Sequence, residues 1–385
     1  MKSIELKILF SLGINSIGTW MTFLATAFMT QEFFGSGAIA YNFLIQSLPS
    51  IFLAPVLGHY IHSQNCKKIY IFSQILLALN VLVLGISVWK YHVYFFLIIA
   101  ASLNAVAIPC LQELIKQVVP NENSKQFQSQ FAAVNGAMLS LSTGLGGFLA
   151  DQLGYRFLFF LDASSYFIAG MIILNIFIPS ESTTIQAINR VSNIRTYFSK
   201  LFIRLQTPPD LSRILNIWFV FLLMGAFINA IEFPIFSSHQ FSKTEVGQLI
   251  GAWGFGQLVC LIWGQMFLSI STKNQLLILI FALGTFIFSK YIIISQICFF
   301  IAGYLTATIS GFIRSEILSH IPQGLTTAQV SSYIQSRLGM INIASYLLLA
   351  NLVSVMAHWM ICAAWLCLGI IMHHLIQKQR AHEGP

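Results

Sequence analysis

Charge is scarce in this chain. Only 8% of its 385 residues are Asp, Glu, Lys or Arg, whereas 57% are hydrophobic, and a soluble domain carries about a quarter charged residues. That balance excludes a water-soluble globular domain and leaves an integral membrane protein. Cysteine is sparse too: Cys66, Cys110, Cys260, Cys298, Cys362 and Cys367 are scattered, mostly inside apolar runs, without metal-ligand spacing. The reading therefore contains no disulfide and no metal. No Gly-rich phosphate cradle is written anywhere, so no nucleotide or other cofactor is expected. His59 with His62 and His373 with His374 are the close histidine pairs. Neither has a neighbouring acid, which argues against a metal-dependent or acyl-transfer enzyme at the membrane surface.

What is present is long apolar runs. Crossing the hydrocarbon core takes roughly 20 such residues, and runs of this kind lie at about 8–30, 39–61, 69–89, 93–118, 128–150, 155–178, 213–236, 246–269, 275–291, 293–318, 329–355 and 358–377. The 34 Phe, mixed with Gly and Ala, suit helix packing. The ten-residue dyad alternation of a membrane barrel is absent. The fold class is all-α, with twelve transmembrane helices in two bundles of six. The first run is too long for a signal-peptide core and is expected to stay as the first helix.

The two halves echo each other. Gly58 and Lys67 close one apolar run, and Gly264 and Lys273, about 206 residues later, close another with the same nine-residue offset. A worn duplication of several membrane helices points to a transporter with its site between the repeats. The expected division is 1–178 for the first bundle, 179–212 for a polar linker and 213–385 for the second bundle with a short tail. Within the linker Ile194, Phe198, Leu201 and Leu205 recur at helical spacing beside Arg190, Arg195, Lys200 and Arg204, the pattern of a helix lying on an anionic leaflet. Pro208 and Pro209 end it.

Orientation follows from Lys and Arg. With both termini on one side, that side holds fourteen of the twenty, among them Lys67, Lys68, Arg190, Lys200 and Lys273; the other side holds Lys90, Arg156, Lys243 and Lys290. Both termini are expected in the cytoplasm. The net charge of +8 is then a matter of topology, and nucleic acid is not an expected partner.

The order of local features resembles the major facilitator superfamily, in particular its bacterial drug:proton antiporter-like branch with macrolide-efflux and enterobactin-exporter members. The features are Gly18 and Trp20, Pro49 with Leu53, Ala54, Pro55 and Gly58, then Pro109 and Val119-Pro120. Gly146-Gly147, the run Leu161 to Phe167, Gly247 with Gly251, and Ile321-Pro322 complete them. The resemblance implies a central cavity lined by helices 1, 4, 7 and 10, alternating access driven by an ion gradient, and a bacterial inner-membrane location.

The sequence departs from that pattern in the loop after helix 2, in helix 5, and at Thr19, where the family commonly carries Asp. In the loop after helix 2, Gly58 and Lys67 persist, but His62, Ser63, Asn65 and Cys66 replace the other marked positions, so the implied cytoplasmic gate reduces to Gly58, His62, Lys67 and Lys68. In helix 5 the Gly-Pro of exporters is missing from Ser142-Thr143-Gly144-Leu145-Gly146-Gly147. Export is favoured by the resemblance, and uptake stays open. A transport-inactive sensor or scaffold on the same frame is a further alternative, which substrate flux would distinguish.

Ionisable groups deep in apolar runs cost roughly 2.5–3.5 kcal/mol on insertion scales and need a reason to persist. Glu232 in helix 7, beside Pro234, is the first candidate for proton coupling. Asp162 in helix 6 is the second, and Glu113 near the inner end of helix 4 the third. Candidates for a cavity lining are Asn15, Thr19, Trp20, Asn104, Asn229, Tyr304, Thr306, Ser310 and Arg314. The expectation is a monomer that moves an amphipathic small molecule, a drug or siderophore, with protons as the second partner and the lipid bilayer as its solvent.

Overall fold

The computed structural model describes residues 3–60, 66–119, 124–176, 209–263, 272–319, 339–344, 346–347 and 358–383. His62, the linker stretch 179–208 and Gly264 lie outside them. Every regular element among the described residues is helical. In chain order these are α1 (Ser3–Phe34), a single 3-10 turn (Ser36–Ala38), α2 (Ile39–Tyr60), α3 (Cys66–Ile86), α4 (His92–Val118), α5 (Ser124–Leu153) and α6 (Arg156–Leu174), followed by α7 (Pro209–Ser238), α8 (Lys243–Trp263), α9 (Thr272–Phe288), α10 (Ile292–Ser319) and α11 (His358–Glu383). Residues 339–344 are helical and belong to the eleventh expected span.

Helix is the form that satisfies every backbone amide inside a bilayer. Six of the described helices have the length and hydropathy to cross one: Ile4–Phe34, Cys66–Ile86, Arg156–Leu174, Ser212–Ser238, Ile292–Ile313 and His358–Leu375. Sequence chemistry marks their ends. Gly35 and Gly154 follow the last residues of α1 and α5 with φ of 86° and 82°, the left-handed stop that glycine adopts without a Cβ penalty. α7 starts four residues before its expected span, at Pro209, where a missing N–H costs nothing. Below, the side of the bundle on which α1 begins is the near face and the side on which it ends is the far face.

In the first bundle α1 packs on α5 and α6, α3 on α4 and α6, and α2 on α4. In the second, α10 packs on α8 and α9, and α11 on α7 and α9. The bundles meet along α5 and α8. Glycine makes that approach possible: a methyl at Gly147 would lie 2.9 Å from the Gly247 Cα, and one at Gly254 would lie 2.6 Å from the Ser140 N. On its other side α8 presses against α10, where a methyl at Gly256 would lie 2.8 Å from the Tyr304 N. Gly146 faces α1 instead, and a methyl at Gly144 would meet open space. The Gly146-Gly147 pair thus serves two different helices.

Candidate functional site

Asn15, Gly18, Thr19 and Thr22 fall on one face of α1, because residues three and four apart in a helix are neighbours. That face meets α6 at Asp162, Ser165 and Tyr166. Asp162 is completely buried, at 0% exposure. It is the seventh residue of α6 and so sits roughly 10 Å below the far end of the helix. Ser165 Oγ reaches both the Asp162 carbonyl, at 2.8 Å, and Asp162 Oδ1, at 3.1 Å. The buried Thr22 hydroxyl of α1 also faces this carboxyl group. Gly18 is what lets α1 come so close, since a methyl there would lie 2.9 Å from the Asp162 Cα and overlap the Ser165 and Asp162 side chains.

The path from this acid toward open space runs through Tyr166. Its ring is buried at 5% exposure, and its hydroxyl lies 3.5 Å from Thr19 Oγ1. Thr19 is exposed and donates its own proton to the Asn15 carbonyl at 2.9 Å. The Tyr166 hydroxyl is therefore the donor in the Thr19 contact. Asn15 is half-buried, and its Oδ1 has no hydrogen-bond partner among the described residues.

The second bundle repeats the arrangement with different residues. Glu232, at 7% exposure, sits six residues before the end of α7, roughly 9 Å from the far end. Two residues on, Pro234 continues the helix but lacks the N–H that would bond the Ala230 carbonyl. The Tyr346 hydroxyl faces both Glu232 and Asn229, and Asn229 is exposed. In each bundle a buried carboxyl group thus stands behind a tyrosine, and the tyrosine touches a polar residue that reaches open space. Among the described residues no Lys or Arg neutralises either acid.

An aromatic seam joins the two halves. Phe23 packs against Phe43 at 5.9 Å and Phe233 at 6.2 Å between ring centroids, and the Tyr346 ring stacks on Phe43 at 5.2 Å. Asn342 adds a hydrogen bond to Ser47 Oγ at 3.4 Å. Trp20 lies half-buried under this seam, edge-on to Phe23.

The remaining candidates divide. Asn104, Tyr304, Thr306 and Ser310 are half-buried, and the hydroxyls of Thr306 and Ser310 bond their own helix at the Ala302 and Ala307 carbonyls. Glu113 lies in α4 and Arg314 in α10, but their side chains fall outside the described set. Gly58 occupies the last turn of α2, and Lys68 is exposed. Lys67 donates to the Leu174 and Ile176 carbonyls at 2.8 and 2.6 Å, and so holds the C-terminal end of α6 in its own bundle. Sequence reading passed over Tyr346, because nothing near it in the chain reveals that it faces a residue more than a hundred positions away.

The family model described as Major Facilitator Superfamily matches residues 8–347. The chain belongs to this superfamily. It is 23% identical over 179 residues to an uncharacterized MFS-type transporter, YfiS, of Bacillus subtilis (strain 168). That alignment spans 46% of this chain and 42% of the relative. Among solved structures, a peptide transporter POT in complex with alafosfalin superposes with a TM-score of 0.71 at 13% identity, over 97% of this chain and 94% of the other. A D-xylose-proton symporter gives 0.68 at 13% identity, over 96% of each chain, and a nucleoside transporter, NupG, 0.67 at 10%, over 97% and 99%. These likenesses show the fold. As a member of this superfamily the chain is a multi-pass membrane protein.

Proposed function

We propose that this chain is a secondary transporter that couples the movement of an amphipathic small molecule, a drug or siderophore, to protons, with export as the direction. The observation that carries the reading is the matched pair of buried acids, Asp162 and Glu232, one per bundle at similar depth and each without a cation among the described residues. An unpaired carboxylate is costly to hold in a membrane-spanning helix, and a carboxylic acid far less so. An acid of this kind takes up a proton when its surroundings close and releases it when water reaches it. The exposed Thr19 and Asn229 mark where water and substrate meet the two sites, and Trp20 with the Phe23 seam offers rings for a lipophilic ligand to stack on. The D-xylose-proton symporter uses the same fold, which is compatible with coupling to protons. In this reading the protein works as a monomer in a bacterial inner membrane. Both termini are cytoplasmic, the near face is the cytoplasmic one, and residues 179–212 link the bundles.

The test is proton movement in proteoliposomes, followed with a pH-sensitive dye while siderophores and lipophilic cations are added. Wild type is compared with Glu232→Gln and Asp162→Asn. Substrate-driven proton flux that falls at least tenfold in one of the variants supports the reading. Substrate transport that proceeds unchanged in both, without proton movement, overturns it.

A further inference from the structure

We infer that Asp151 is a positioning residue of the transport cycle: by capping the first turn of α8 from the other bundle, it sets how often the far face opens. Asp151 is the third residue from the end of α5, in the first bundle, and its side chain is exposed. Its Oδ2 accepts the Thr244 backbone N–H at 2.7 Å and also the Thr244 hydroxyl. The amide is one of the unpaired N–H groups at the head of α8, where the helix dipole favours a negative charge.

Asp151 is not needed to build that helix. α8 already caps itself: the Ser242 N–H donates to Glu245 Oε2 at 2.8 Å, and the Glu245 N–H to Ser242 Oγ at 3.2 Å, a reciprocal capping box. The contact with Asp151 therefore adds nothing that α8 requires to stay helical. It can be made and broken with water as the alternative partner, because the site is exposed. Beside it, the Lys243 ammonium stands over the rings of Phe28 on α1 and Tyr155 next to α6, 6.0 and 5.7 Å from their centroids. Immediately beneath, Gly147 and Gly247 bring the two backbones together. The head of α8 is thus held by α1, α5 and the α5–α6 turn of the opposite bundle at one point, over a glycine contact that offers little side-chain area of its own. Alternating access requires this point to part, and the Asp151 contact is its polar, solvent-reachable component.

The experiment is hydrogen–deuterium exchange of the full-length protein in lipid nanodiscs, read on peptides from 136–153 and 243–263. Loss of a cap contact of about 0.5–2 kcal/mol corresponds to a roughly two- to thirtyfold change in the open population. Asp151→Ala is expected to raise exchange in both segments by that factor. Asp151→Asn keeps a capping oxygen and is expected to stay near wild type. Glu245→Ala, which breaks the helix's own cap, is expected to affect only the first turn of α8. The inference is overturned if Asp151→Ala leaves both segments unchanged, if it raises exchange equally in every span, or if Asp151→Asn behaves like Asp151→Ala.

Discussion

Gly18 is the residue on which the first buried acid depends. It has no side chain to hold α1 away from α6, and the space a methyl would take is filled by Asp162 and Ser165. Their burial therefore follows from one missing carbon. Gly18→Ala is expected to push the helices apart at a cost of about 1–3 kcal/mol, the range for overpacking a fitted core, read as a lowered unfolding midpoint of the purified protein. An unchanged midpoint would mean that the contact between α1 and α6 is looser than its geometry implies. Glu232 and Asp162 were legible in the sequence because carboxylates are rare in apolar runs, and rarity is a one-dimensional signal. Their tyrosine partners differ in this respect. Tyr166 stands one helical turn from Asp162, within reach of local reading, whereas Tyr346 meets Glu232 only after the chain has folded through the whole second bundle.

Elements show the same division. Hydropathy located the helices because the bilayer imposes their length, and left-handed glycines 35 and 154 fixed two of their ends. What each helix touches depends on side-chain detail, as Lys67 illustrates. Family resemblance marks it as part of a gate between bundles, yet its ammonium lies on the carbonyls of Leu174, the last residue of α6, and Ile176 just beyond, where a cation offsets the negative end of the helix dipole. The two roles predict different variants. If Lys67 mainly terminates α6, Lys67→Met lowers stability by about 0.3–1 kcal/mol and leaves the transport rate within about twofold. If it also bridges the bundles in another state of the cycle, transport falls much further than stability. Reconstituted flux measured beside denaturant unfolding separates these outcomes.

The whole molecule has a direction built into its contacts. Phe23, Phe43, Phe233 and Tyr346 close the seam above Thr19 and Trp20, and Asp151 with Lys243 close the rim above that. All of these lie toward the far face, so they stand between that face and Thr19. In the proposed orientation, taken from the charge asymmetry of the loops, the near face is the cytoplasmic one. Together these give one expectation that neither gives alone. A cysteine introduced as Thr19→Cys is expected to react with a membrane-impermeant maleimide in inside-out vesicles and to be protected in intact cells, with wild type alongside to account for the exposed Cys367. Reaction from the outside only would reverse the orientation. Equal reaction from both sides would mean that the far-face seal is open much of the time, and combining Thr19→Cys with Asp151→Ala would then give no further increase. In a protein resting with that seal closed, the combination instead raises labelling from outside, so the same cysteine reports both the topology and the strength of the gate.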